Sequence, residues 1–183
     1  MKTTLEVLLK LVTSLRTRVP AATQPAQLDE LFDALQSADA GDQAGEVEQR
    51  IWSLWAGHPD TAVARRLELA TRAMAREEFD RAGRLLEPLV SEFPDWAEAH
   101  NQRATLRYLE DRDAESFESI RRTLELEPRH FGAVCGFAQI CLRRGQRAAA
   151  LLAFEAALEI NPHLAGVSAA VKELRGTVGP TLH

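Results

Sequence analysis

Cysteine and aromatic residues are scarce in this sequence of 183 residues. The two cysteines, Cys135 and Cys141, lie six positions apart on what the pattern predicts to be one helix, so they cannot bond to each other and give no disulfide framework. Aromatic residues make up 6% of the chain, which argues against a base-stacking platform for single-stranded nucleic acid. No two histidines show the i, i+4 spacing of helical zinc ligands, and we expect no metal site.

Clusters of one charge and long apolar runs are also absent. The net charge is -5, and lysine and arginine are scattered among acids rather than forming the basic stripe that a phosphate backbone requires, so we expect no nucleic-acid partner. No apolar run reaches the roughly 18 residues of a membrane-spanning helix. A phosphate-binding glycine-rich loop and a nucleophile elbow are both missing, and we expect a protein with no catalytic residues and no cofactor.

Prolines reveal an internal repeat. Pro94, Pro128 and Pro162 follow one another at intervals of 34 residues, which divides the chain into the windows 63–96, 97–130 and 131–164. His130 and His163 lie just after two of these prolines, where we expect them to be ordinary polar residues of turns. Three windows in phase predict three copies of one structural unit.

Small residues recur at two positions of each window. The eighth position holds Ala70, Ala104 and Ala138, and the twentieth holds Ala82, Ser116 and Ala150. Side chains of this size let two helices approach to about 8–10 Å. In the third window, Gly145 separates two apolar-periodic stretches and suits a helix end with a positive φ angle. Each window therefore predicts two antiparallel helices.

These residues resemble the tetratricopeptide repeat (TPR), which has small residues at positions eight and twenty and proline at position thirty-two. The resemblance implies an all-α fold, a right-handed α-solenoid of antiparallel helical hairpins. The second window departs from the repeat at Arg103, Arg107 and Asp113, where large apolar residues are usual. Residues 28–175 also resemble a poorly characterised family of small bacterial TPR proteins with relatives in plastid-bearing eukaryotes, many of which carry an export signal.

The flanking segments predict helices that close the stack. Residues 27–62 resemble a degenerate helical hairpin, with a turn-rich stretch at 40–45, and we expect its Trp52 and Trp55 to pack onto the first repeat. Residues 165–183 predict a capping helix followed by a frayed tail.

Residues 1–26 predict an amphipathic helix over 1–19 and a linker. Three interpretations stay open for the helix: it folds onto the domain or a partner, it is an organellar transit peptide, or, as the weakest, it anchors to a membrane surface. We accordingly expect the protein in the cytoplasm, with an organelle interior as the alternative and the periplasm less favoured.

The resemblance also implies a binding surface. In TPR proteins the first helix of each hairpin lines a concave groove, which repeat positions two, five, nine and twelve face. The expected partner-binding residues are Leu67, Thr71, Met74, Glu98, Asn101, Thr105, Tyr108, Cys135, Gln139 and Leu142. They suit an extended peptide or an amphipathic helix. Alternatively, residues 1–19 fold back as an internal ligand over this groove.

The chaperone-binding version of the repeat clamps a terminal carboxylate with lysine, arginine and asparagine. The matching positions here are Leu67, Thr71, Gln102, Gly132 and Gly136. Because none of them carries a positive charge, we exclude that role. The sequence therefore favours a non-catalytic adaptor or assembly factor, and the alternative is a permanent structural subunit docked through its first helix.

Overall fold

The computed structural model describes residues 4–37 and 42–177, and the regular elements in that part of the chain are all helical. The α-helices are α1 (Thr4–Thr13), α2 (Gln27–Ser37), α3 (Asp42–Ala56), α4 (Thr61–Ala75), α5 (Phe79–Glu92), α6 (Ala97–Leu109), α7 (Asp113–Leu126), α8 (Phe131–Arg143), α9 (Arg147–Ile160) and α10 (Ala165–Thr177). A short 3₁₀ helix follows α1 at Leu15–Thr17. Residues 40 and 41 of the expected turn and residues 178–183 of the expected tail lie outside the described residues, whereas 42–45 are helical rather than part of a turn.

The three windows contain the hairpins α4–α5, α6–α7 and α8–α9, and each helix packs against the next along the chain. The alanines at position eight are at most 4% exposed, and those at position twenty are fully buried. In the second hairpin, the Ser116 hydroxyl donates a hydrogen bond of 2.8 Å to the backbone carbonyl of Ala104, so the helices are close enough for side-chain-to-backbone contact. The predicted all-α solenoid of antiparallel hairpins is confirmed.

The first helix of each hairpin ends in the same way. Glu77, Asp111 and Gly145 have φ angles of 60°, 58° and 70°, and they are spaced 34 residues apart. In each case the next residue donates its backbone N–H to a carbonyl five residues back, at 2.8–2.9 Å, as in a Schellman motif. The positive φ angle is therefore imposed by the turn and does not depend on which residue type stands at this position.

Ion pairs add to the apolar packing between the first and second hairpins. The Arg107 side chain is 9% exposed and pairs with Glu87 on α5, with Glu110 at the end of its own helix, and with Glu115 on α7. Asp113, another charged departure from the repeat, pairs with Arg143 on α8. The charged residues of the second window thus link neighbouring hairpins.

Helix α1 lies on the second helices of the solenoid, against α7 and α9. Its apolar side, Leu8, Leu11 and Val12, is buried in the same cluster as the residues of α7 to α10. The alternative that residues 1–19 occupy the groove is therefore wrong for the described residues of this segment. The apolar side of α1 packs between α7 and α9, on the side of the hairpins opposite to the groove.

Candidate functional site

The first helices α4, α6 and α8 form the inner face of the solenoid. Successive first helices contact each other, and they pack more closely than successive second helices do. This difference curves the stack so that α4, α6 and α8 line its concave side. The ten residues expected to bind a partner all lie on these three helices.

The ten residues differ widely in exposure. The exposed ones are Thr71, Thr105 and Gln139; the half-buried ones are Tyr108, Cys135 and Leu142; and the buried ones are Leu67, Met74, Glu98 and Asn101. Leu67 and Met74 belong to the apolar cluster inside the first hairpin. The open part of the face is thus formed by the central and carboxyl-terminal parts of the three helices.

Glu98 is held in a buried hydrogen-bond network. Its Oε2 atom lies 2.8 Å from Nε2 of His130, and the Asn101 amide donates to the same carboxylate at 3.1 Å. Nδ1 of His130 accepts the backbone N–H of Ala133 at 3.2 Å and caps α8, so the proton resides on Nε2 and His130 donates to Glu98. Both side chains are at most 2% exposed, and this carboxylate serves to connect α6 with α8.

Helix α3 crosses the concave face near the start of α8. The Trp55 ring stacks on the His130 ring with centroids 4.0 Å apart, and Trp52 contacts the Phe131 ring edge-on at 5.3 Å. A Cβ atom placed on Gly132 would overlap Cη2 of Trp52. The expectation that both tryptophan rings pack onto the first repeat is wrong, because Gly132 leaves room for an indole ring at the junction of the second and third repeats.

The α2–α3 hairpin is anchored to the turn after each of the three repeats. At the first turn, Trp96 Nε1 donates to the carbonyl of Trp55 at 2.8 Å. At the second, Arg129 pairs with Asp29 at 2.6 Å. At the third, the bonds are Gln36 Nε2 to the Ile160 carbonyl (2.8 Å), Asn161 Nδ2 to Glu48 (2.9 Å) and His163 Nε2 to the Leu35 carbonyl (3.0 Å).

These contacts give His130 and His163 structural roles that the sequence does not indicate. Both were expected to be ordinary turn residues, yet each holds an element that is remote along the chain. Nothing in their spacing relative to the repeat prolines marks them, because the partner of His163 lies outside the repeats and the partner of His130 lies on another helix, 32 residues earlier. Glu98 and Asn101 were expected to bind a partner, and their buried structural role was not foreseen because it depends on contacts with each other and with His130.

The part of the groove that α3 leaves open contains a cavity of about 160 Å³ between α6 and α8. Its lining carries no charged side chain and includes Ala104, Thr105, Tyr108, Gly136 and Gln139. At its carboxyl-terminal end, the Arg143 guanidinium lies 4.0 Å from the centroid of the Tyr108 ring, where the pair forms a cation–π contact. The geometry suits a neutral apolar side chain.

Cys135 precedes the cavity residue Gly136 on α8 but is a poor nucleophile. Burial, together with the nearby Glu48 carboxylate, raises the pKa of its thiol to about 12. The thiolate is therefore negligible near neutral pH, and Cys135 acts as a small apolar side chain. Within residues 4–37 and 42–177, no group of three or more His, Cys, Asp or Glu side chains is arranged to hold a metal ion.

The helices of the described chain include none that is both long and apolar enough to cross a membrane.

In comparisons of sequence, a protein of Rhizobium etli described as TPR repeat-containing is 32% identical to this chain over 143 residues, which cover 78% of this chain and 70% of that relative. No family model matches the sequence.

Proposed function

This chain belongs to the family of TPR repeat-containing proteins, and from that premise we propose that it is a non-catalytic adaptor or assembly factor that binds a segment of another protein in the open part of its concave groove. Proteins built from stacked helical hairpins generally use such extended concave surfaces to hold partners. The partner is an extended peptide or an amphipathic helix.

The uncharged cavity between α6 and α8 is the observation that carries this proposal. Its volume of about 160 Å³ is suited to one apolar side chain of the bound segment. Exposed Thr105 and Gln139 flank it and offer hydrogen-bonding groups to a peptide backbone. Tyr108, held by Arg143, supplies a rigid aromatic anchor of the kind that dominates binding energy at interfaces.

The residues expected at the site divide into two roles under this proposal. Thr71, Thr105, Tyr108, Gln139 and Leu142 contact the partner. The others, Leu67, Met74, Glu98, Asn101 and Cys135, support those contacts from beneath. Because α3 covers the start of α8, the partner occupies the central and carboxyl-terminal parts of the first helices.

The alternative of a permanent subunit docked through the first helix has less support. That role requires the apolar side of α1 to face a partner, whereas Leu8, Leu11 and Val12 are buried against α7 and α9. We therefore keep the groove as the interaction surface.

Site-specific photo-crosslinking in the native cell tests the proposal. A crosslinking residue at position 105 lies in the open groove, and one at position 84 lies on the exposed side of α5 as a control. We expect a discrete partner to be captured from position 105 and not from position 84. With that partner purified, Tyr108→Ala should weaken the affinity about tenfold or more, and Arg84→Ala should leave it unchanged. Equal capture at both positions, or an unchanged affinity for Tyr108→Ala, would remove the groove as the site.

A further inference from the structure

Two glycines on successive turns of α8, Gly132 and Gly136, line the cavity between α6 and α8. At Gly132 the packing requires glycine, because a Cβ atom there would overlap Cη2 of Trp52. At Gly136 it does not, since a Cβ atom would make only an ordinary contact with Cδ1 of Ile120, at 3.9 Å. Glycine inside a helix is less favourable than alanine. What glycine provides at position 136 is therefore open space in the cavity.

Trp52 shows how an aromatic ring fits on this side of α8. Its indole ring lies directly over Gly132. Gly136 presents the same bare backbone one turn further along the helix, and there the cavity takes the place of the ring. The cavity has a volume of about 160 Å³, and a cavity of about 150 Å³ accommodates a benzene ring. Because the cavity opens into the groove, a larger ring can enter it and extend outward.

A buried hydrogen-bond acceptor lies in the lining of the cavity. Asn101 is 7% exposed, and its Nδ2 donates to the two oxygens of the Glu98 carboxylate at 3.3 and 3.1 Å. Since an ionised carboxylate only accepts hydrogen bonds, this contact fixes the orientation of the amide and leaves Oδ1 at its other end. No residue in the described part of the chain donates to Oδ1, and this oxygen is not sealed from solvent. Asn101 lines the cavity, so a ligand there can reach the oxygen.

The cavity is complementary to a neutral, largely apolar group that donates one hydrogen bond. No charged side chain lines it. The buried polar side chains of the lining already use their donors, because Asn101 donates to Glu98 and the Ser116 hydroxyl donates to the Ala104 carbonyl. An aliphatic side chain brings no donor, and a phenol brings an acceptor as well as a donor. An indole brings a flat ring and an N–H that only donates.

We propose that this cavity binds the indole ring of a tryptophan in the partner segment, with the indole N–H donating to Oδ1 of Asn101 and the ring against Gly136. Tyr108, held by Arg143, borders the ring. The inference rests on the proposed function, and it specifies which side chain of the bound segment enters the cavity. Gly136 determines this specificity, because any side chain at position 136 would occupy space that the ring needs.

Nuclear magnetic resonance of the ¹⁵N-labelled full chain tests the proposal with two isomers of methylindole. 3-Methylindole has the ring and the N–H of a tryptophan side chain, whereas 1-methylindole has the same size and no N–H. The chain has two asparagines, so the side-chain amide signals of Asn101 are readily assigned. With 3-methylindole added up to about 2 mM, we expect these signals and the backbone N–H signal of Gly136 to move. We expect 1-methylindole to bind about fivefold to tenfold more weakly.

Gly136→Ala keeps the helix and fills part of the cavity, and we expect it to weaken 3-methylindole binding about tenfold or more. Gly83→Ala is the matched control on α5, outside the cavity. It adds the same methyl group in ordinary contact with Leu106, at 3.7 Å, and should leave the binding unchanged. Signals that stay still with 3-methylindole, equal binding of the two isomers, or unchanged binding by Gly136→Ala would overturn the proposal.

The outcome is distinguishable from that of the crosslinking test of the groove. A partner captured from position 105, together with no binding of 3-methylindole, would overturn the tryptophan specificity and leave the adaptor function in place. Binding of 3-methylindole that depends on its N–H and on Gly136, with no partner captured, would overturn the adaptor function and support the cavity as an indole site.

Discussion

Three different residues occupy the left-handed position that ends the first helix of each repeat. Glycine adopts a positive φ without steric cost, whereas glutamate at 77 and aspartate at 111 must accept some strain. Gly145 has no atom within 4 Å of the place where a Cβ would lie, so at this position backbone conformation can be tested without packing effects.

Gly145→Ala should lower the free energy of unfolding by about 1 kcal/mol, because alanine resists the left-handed conformation. Gly45, inside α3, also has open space around it but lies in a helix, so Gly45→Ala should raise the free energy of unfolding by up to about 1 kcal/mol. Urea denaturation of both variants measures the difference. Changes of the same sign in the two proteins would contradict the assigned backbone conformations.

Individual residues could be predicted from the sequence where the residue type itself is informative. Gly145 and the alanines at position eight were identified because few residues fit a positive φ angle or a close helix contact. Glu77 and Asp111 were not, since glutamate rarely adopts a positive φ and aspartate does so less often than glycine. The structural roles of His130 and Glu98 were not predicted, because they arise from a contact between helices that are distant in sequence.

At the scale of elements, α8 carries two glycines that differ in what lies opposite them. A Cβ on Gly136 would make an ordinary contact with Ile120 Cδ1 at 3.9 Å, whereas one on Gly132 would overlap Trp52. Because Trp52 is packed among Trp55, His130 and Phe131, it has little room to move aside.

Gly132→Ala should therefore be less stable than Gly136→Ala by about 1–3 kcal/mol, although both substitutions gain the same helix propensity. Thermal unfolding followed by circular dichroism compares the two variants. The Gly132 variant should also show altered tryptophan fluorescence. Equal stabilities would mean that α3 does not cross α8 at this point.

Helix α1 provides a matched pair of neighbouring positions. Leu8 is fully buried against the solenoid, and Val7 is 39% exposed on the other side of the helix. Leu8→Ala should lower the free energy of unfolding by about 2–4 kcal/mol, and Val7→Ala should change it by no more than about 0.5 kcal/mol. Chemical denaturation checks both. Similar small effects would place α1 outside the folded body and restore the docked-subunit alternative.

The placement of the repeat helices follows from periodicity, and α8 and α9 lie on either side of Gly145, as the two apolar-periodic stretches of the third window predict. The path of the α2–α3 hairpin does not. We expected a terminal hairpin to stack on the first repeat, as another repeat would. Instead it lies across the ends of several repeats, because its tryptophans and polar side chains contact the turns there. Such contacts produce no periodic pattern in the sequence from which they could be predicted.

For the whole molecule, the junction between the first two repeats depends on charge. Arg107 is nearly buried and contacts carboxylates from α5, α6 and α7. Removing Arg107 takes away its buried side-chain packing and leaves Glu110, whose side chain is 19% exposed, without this partner, which costs more than losing a surface ion pair.

Arg107→Ala should lower the free energy of unfolding by about 2–3 kcal/mol. Arg72→Ala, which removes the exposed pair with Glu68 on α4, should change it by less than about 0.5 kcal/mol. Denaturant midpoints at low and high salt measure both effects. Equal losses would show that the junction is held by apolar contacts and not by Arg107.

The solenoid as a whole was predictable because three repeats in phase constrain one another. The sequence marked Arg103, Arg107 and Asp113 only as departures from the repeat, and their compensation by ion pairs needs the positions of neighbouring helices. The repeat pattern likewise could not predict which part of the groove is covered, because α3, which covers it, lies outside the windows.

The anchoring of the α2–α3 hairpin to three successive turns sets a limit on how this protein can evolve. A helix of 15 residues is about 22 Å long, close to the roughly 20 Å that three parallel helices at about 10 Å spacing span. Solenoids usually gain or lose units freely by duplication or deletion of gene segments. Here the length of α3 matches three repeats. A fourth repeat that kept this anchoring would therefore require a longer α3.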